Sequence, residues 1–365
     1  MTGKKTAIIC FSLLVAGCIE QETPRAPKPL PISPAPTPTP SPSPKPSPNV
    51  YAFPLEFTSG TPPVALSNAD FLYYPDVAYG EHERQSFDLF LPGKGPASGL
   101  VVYYHGGGLV SGDKAQTYEL PYLKDRIDDY LWANIAFATV NYRHSNDSFD
   151  FSAKTSFRDG ARALQFIRHY ARDLGLNPSR SVTMGTSAGG AIALYVATRD
   201  DLADTQSNDL VQRQSSRVEG AFAYLPQAGY NVPEWKDTVF TPFGDDQLTV
   251  EEIYEMAGEL NVRSWFGIAS LDDLTTSEAV AVGEEVDVLD HISADDPALY
   301  ISTHYSMDRP SDYATVMHHG SHVVSMMQRG DSVGVDVLAQ VPEASIDTTR
   351  GVHFYDWSVA KVLAR

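Results

Sequence analysis

The stretch Ser181–Leu194, SVTMGTSAGGAIAL, decides how this chain is read. Val182 and Met184 alternate with small or polar residues, as in a short strand. The run AGGAIALYVAT that follows is rich in small and apolar residues over helical length. Between the two, Gly185-Thr186-Ser187-Ala188-Gly189 fits G-x-S-x-G, a sharp strand-to-helix turn that lifts its serine above a sheet. Side chains at Gly185 or Gly189 would collide with neighbouring backbone, which gives both glycines a steric reason. Five-residue patterns recur by chance, so the same stretch also fits a plain glycine-softened bend. The surrounding elements discriminate between the two.

Upstream, GLVVYYHGGG (99–108) is a nearly continuous apolar run ending in glycines, as in a strand buried on both faces. The runs 85–92, 134–143, 218–225, 298–302 and 335–341 also have strand character. Residues 118–131 suit a helix. Phe157, Ala161, Leu164, Ile167, Ala171 and Leu174 recur at steps of three or four, as on one face of an amphipathic helix. Strands alternating with helices predict an α/β fold, with a mostly parallel central sheet covered by helices on both faces. Residues 227–296 break the alternation and are expected to form a cap insertion.

His105-Gly106-Gly107-Gly108 closes a buried strand with three residues that lack side chains. Attack on an ester builds negative charge on an oxygen, and backbone amides must approach it to about 3 Å. Gly107, Gly108 and Ala188 can supply such amides. The glycine spacing matches neither dinucleotide nor P-loop signatures, so no nucleotide is expected.

The blocks HGGG, SGDK, VNYR, FRDGARALQFIRHYARDLGLNPSR, MGTSAGG and HISADDP, with a late HF, resemble the α/β-hydrolase superfamily. More narrowly, they resemble secreted bacterial carboxylesterases related to the hormone-sensitive-lipase and feruloyl/acetyl-xylan-esterase-like groups. The resemblance runs from about Phe87 to the C-terminus. It implies a nucleophilic Ser187 and an oxyanion hole formed by Gly107, Gly108 and Ala188. It places the acid after the strand 298–302. There His304-Tyr305-Ser306-Met307-Asp308 keeps the family's H-G-x-x-D spacing without its glycine, so Asp308 is favoured and Asp312 remains open. The fold's order of serine, acid and histidine places the base after the final strand, at His353. His353 capping the following helix is the plainer alternative.

His318, His319 and His322 crowd together, but no acid or cysteine stands among them to complete a metal site. No metal or organic cofactor is expected. Asp159 with Arg143, and Asp113 with Lys114, have the character of structural charges, and Asp295 and Asp296 lie at the wrong end of their strand for catalysis. The expected activity is hydrolysis of small-molecule or carbohydrate esters. A non-catalytic binding protein on the same fold, or a formamidase-like amide hydrolase, are the other readings.

The amino terminus indicates where the domain works. Lys4 and Lys5 precede an apolar run from Ala7 to Ala16 that is too short to span a bilayer. Val15-Ala16-Gly17-Cys18 resembles the bacterial lipoprotein box. That resemblance implies cleavage after residue 17, lipid on Cys18 and membrane attachment at the outer membrane or cell surface. Cys10 and Cys18 are the chain's two cysteines, so a mature domain would have no disulfide. Residues 18–49 are dominated by proline and suit an extended spacer; at ~3.1 Å per residue, 24–48 would reach about 75 Å. Residues 50–365 are the expected catalytic domain. The chain's net charge is −19, which disfavours nucleic acid as a partner.

Overall fold

Two fully buried runs set the centre of the sheet: β3 (Gly99–Tyr104) and β4 (Ile135–Val140). The computed structural model describes residues 58–67 and 70–364. The expected signal segment 1–17, Cys18 and the spacer to residue 49 lie outside them. β3 pairs in parallel with β4 on one side and with β5 (Ser181–Thr186) on the other. β6 (Gly220–Tyr224), β7 (Ala298–Ser302) and β8 (Val337–Val341) extend the parallel array. β1 (Phe71–Ala78) and β2 (Ser86–Pro92) add antiparallel strands at one edge, and the two-residue β9 (Ile346–Asp347) closes the other. The order across this nine-stranded sheet is β1-β2-β4-β3-β5-β6-β7-β8-β9. This order, parallel except at its edges, is the one expected of the α/β-hydrolase fold.

Because side chains alternate across a strand, β3 feeds two cores. Leu100, Val102 and Tyr104 enter the larger one with α2 (Ala153–His169), α3 (Ala188–Thr198) and α10 (Gly320–Val333). Val101 and Tyr103 enter the other, under α1 (Pro121–Trp132) and α11 (Phe354–Leu363). The expected strand 99–108 stops at Tyr104, because Gly107 and Gly108 take positive φ and turn the chain off the sheet. β1 escaped the sequence reading. It is half-exposed, and its register shifts between Tyr74 and Val77, around Asp76 at φ 51°.

Between β6 and β7 the chain forms α4 (Trp235–Thr238), α5 (Val250–Ala257), α6 (Glu259–Phe266), α7 (Ser277–Glu285) and α8 (Val288–His291). Trp235, Trp265 and Phe266 are buried in the larger core, so this insertion is packed onto the sheet's helical layer. The charged residues singled out in the sequence are tied into the fold, though Asp113 meets Asn141 and the Ala115 amide rather than Lys114. Arg143 reaches both carboxylate oxygens of buried Asp159 at 2.7 and 2.9 Å. Lys114 pairs with Asp76 and Asp88, and Arg217 holds Asp295 and Asp296. Among the described residues no helix is long and apolar enough to cross a membrane.

Candidate active site

The turn after β5 is as tight as its glycines require. A methyl group at Gly185 would meet the Gly189 carbonyl at 2.1 Å, and one at Gly189 would meet the Tyr104 carbonyl at 2.0 Å. Ser187 sits at φ 54°, ψ −124°, which is costly for a residue with a side chain. The strain is held from both sides: the Ser187 amide donates to the Tyr224 carbonyl at 2.8 Å, and the Ser187 carbonyl accepts from Ala191 at 3.0 Å.

The histidine that reaches Ser187 is His318. Its Nε2 lies 2.8 Å from Ser187 Oγ. Its Nδ1 lies 3.1 Å from the Ala314 carbonyl, an acceptor only, so Nδ1 carries the proton and Nε2 is free to accept from the serine. Burial pushes the His318 pKa below its ordinary value; the Ala314 carbonyl opposes this, and His304 lowers it further. The ring of Tyr305 packs 5.1 Å from that of His318, and His304 Nδ1 is 2.8 Å from Tyr224 Oη.

A short helix, α9 (Tyr313–His318), presents this histidine. Asp312 caps its start by accepting from the Thr315 amide at 2.8 Å, and Thr315 Oγ1 accepts from the Asp312 amide at 3.0 Å. The helix ends at once because His319 takes extended geometry, φ −51° and ψ 142°. His319 then caps α10, accepting from the Ser321 amide at 3.1 Å, while its Nε2 donates to the Asp308 carbonyl at 2.8 Å. His322 is fully buried, accepting from the Ala228 amide and donating to the Val316 carbonyl. The three clustered histidines therefore point to three different tasks. Among the described residues no group of three or more metal-ligating side chains is gathered.

His353 is not brought to Ser187, contrary to the sequence expectation. The chain beyond β8 folds back as β9, Tyr300 Oη holds the Val352 carbonyl at 3.1 Å, and His353 is spent as the N-cap of α11. Its Nδ1 accepts from the Tyr355 amide at 3.2 Å, and its side of the sheet is the α1/α11 layer. Asp308 and Asp312 are both exposed, and neither carboxylate bonds to His318. Asp312 is occupied as the cap of α9, and Asp308 meets the histidine cluster through its backbone carbonyl. His318 had one sequence signal: Asp312-x-x-Thr315 is a capping pattern that starts a helix five residues before it.

The glycine loop lies against the elbow, since a methyl at Gly106 would come 3.4 Å from Ser187 Cβ. Ser111 and Val110 hold the Gly107 carbonyl, and Trp265 Nε1 donates to the Gly108 carbonyl at 2.7 Å. His105 is buried, stacks on Tyr142 at 4.4 Å and donates from Nδ1 to the Gly106 carbonyl. Burial brings its pKa down to about 3, which keeps it neutral and structural.

The BD-FAE family model matches residues 87–322, well over half of the chain, ending just past His318. A probable isoprenylcysteine alpha-carbonyl methylesterase of Arabidopsis thaliana is 27 % identical over 159 residues, 43 % of this chain and 31 % of the relative. Lipase 2 of Moraxella sp. (strain TA144) is 31 % identical over 97 residues, 27 % of this chain and 21 % of the relative. The chain thus spans under a third of the length of these two curated relatives. A solved structure, a truncated form of a carbohydrate esterase from gut microbiota, superposes with a TM-score of 0.54 at 14 % identity. It covers 85 % of this chain and 99 % of its own, and the likeness is one of fold.

Proposed function

Because the chain belongs to the BD-FAE family and carries an α/β-hydrolase fold, we propose that it is a carboxylic ester hydrolase that works through Ser187 and His318. The observation that carries this is the 2.8 Å contact between Ser187 Oγ and His318 Nε2 on a strained elbow. Ser187 Oγ attacks the ester carbonyl while its proton passes to His318 Nε2. The electron pair of the C=O bond moves to oxygen, and the amides of Gly107, Gly108 and Ala188 stabilise the charge. The imidazolium then protonates the leaving alcohol, and water releases the acyl group by the same route in reverse.

His318 takes the place that the chain's order of motifs assigned to His353, and among the described residues no carboxylate completes the set. The Ala314 carbonyl fixes the tautomer and stabilises the imidazolium as a dipole rather than a full charge. Such a dyad works more slowly than one backed by a buried carboxylate.

For substrate class, the reading is an ester on a carbohydrate, supported by the likeness to the gut carbohydrate esterase and by the export signal. Attachment to a membrane through Cys18 rests on the Val15-Ala16-Gly17-Cys18 pattern. The test is hydrolysis of p-nitrophenyl esters from acetate to long chains, alongside acetylated xylan, with fluorophosphonate labelling of the protein and of Ser187→Ala. Equal labelling of the two proteins would overturn the assignment.

A further inference from the structure

We propose that the hydroxyl of Tyr313 is an additional oxyanion donor, delivered to the glycine loop by the helix that carries the base. This rests on the Ser187–His318 reading and extends it. The two ends of the glycine loop touch different partners. Its Gly106 end meets the elbow, 3.4 Å from Ser187 Cβ for an added methyl. At its Gly108 end an added methyl would meet Tyr313 Oη at 2.6 Å. The hydroxyl therefore occupies the space that any side chain at residue 108 would fill. Gly108 also sits at φ 63°, so glycine is favoured there twice over, by backbone conformation and by the tyrosine above it.

Two nearby tyrosines have their hydroxyls engaged. Tyr122 Oη bonds to Thr186 and Tyr224 Oη to His304. Among the described residues Tyr313 Oη has no hydrogen-bond partner. The side chain is 38 % exposed, so it borders open space above the loop. Burial raises its pKa above the ordinary phenol value, so it remains a protonated donor at neutral pH. One element thus supplies two functions, with Tyr313 in the first turn of α9 and His318 at its end.

In the acylation step no proton leaves Tyr313. The Ser187 oxygen–carbon bond forms, the serine proton moves to His318, and the carbonyl pair moves onto oxygen. Tyr313 donates a hydrogen bond to that oxygen and keeps its own proton. The interaction strengthens as charge develops, so it lowers the barrier more than it tightens substrate binding.

Tyr313→Phe removes the donor and keeps the ring. With p-nitrophenyl acetate and phenyl acetate, kcat should fall about 10²-fold for both esters with KM within about twofold, the scale seen for loss of one oxyanion donor. Affinity for a trifluoromethyl ketone, whose serine adduct carries the same oxyanion, should weaken by a similar factor. A purely structural tyrosine would not link these two readouts. If kcat of Tyr313→Phe stays within twofold of the parent, or the loss falls on KM alone, the donor role is wrong while the esterase reading stands. A parent inert to esters and fluorophosphonate alike would remove both.

Discussion

Ser187 Oγ faces His318 Nε2 at 2.8 Å, and the far nitrogen of that imidazole faces a backbone carbonyl rather than a carboxylate. The proposed base and nucleophile thus stand at neighbouring ends of α9 and β5. His318→Ala should lower kcat by at least ~10³, as for loss of a general base. His353→Ala should leave kcat within about threefold, since its ring only caps α11. Steady-state kinetics on both variants decide this; a dead His353 variant beside an active His318 variant would reverse the assignment.

The pH profile follows from burial of the base. Attack needs neutral His318, and burial holds its pKa below the ordinary 6.5. The acid limb of kcat/KM should therefore be half-risen below pH 6.5. His304→Ala removes a neighbour that disfavours protonation, so the limb should move upward. A limb centred above 6.5 in the parent would contradict the buried, carboxylate-free base.

At the elbow, Gly189→Ala forces a methyl to within 2.0 Å of the Tyr104 carbonyl and 2.4 Å of the His105 carbonyl. Both are backbone atoms of the central strand and its loop, and neither can swing aside. The expected cost is more than ~3 kcal/mol, beyond ordinary overpacking. Gly190→Ala, whose nearest neighbour would be 3.3 Å away, is the matched comparison. Denaturant midpoints for the pair should separate clearly.

Acid should unfold the domain through buried neutral histidines. Burial holds His105 and His322 at about 3, against an ordinary 6.5 in the unfolded chain. Between those values the unfolded state binds protons that the folded state refuses. Stability therefore falls as pH drops below 6.5 and is insensitive to these two groups above it. Each contributes about 1.4 kcal/mol per pH unit across the window. Urea unfolding at pH 7.5, 6 and 5 measures the slope, and a flat response from 6 to 5 would refute it.

The centre of the fold was legible because it is dry on both faces. Runs such as LVVYY and IAFATV have only a buried strand as a sensible home, and the elbow glycines are dictated by contacts at about 2 Å. The edges were not legible: β1 is half-exposed and bulged, and β9 is two residues long. The histidine that meets Ser187 was not the expected one, for a different reason. Sequence order puts a histidine after the last strand, and His353 stands there. What brings His318 to Ser187 instead is a local accident of geometry, a helix capped by Asp312 and broken after six residues at His319. No periodicity records that break. His318, His319 and His322 crowd together in sequence, yet one faces the serine, one caps a helix and one is sealed in the core.

The hydrogen bond from Trp265 to the Gly108 carbonyl ties the insertion to the glycine loop. Trp265 is fully buried, with its ring 4.9 Å from that of Tyr230, so the tie is anchored well below the surface. An insertion fastened in this way cannot swing away like a lipase lid without breaking its bond to the glycine loop beneath it. On the proposed esterase reading, a short ester then needs no lipid–water interface to reach Ser187, and turnover should rise smoothly with substrate through its micellar threshold.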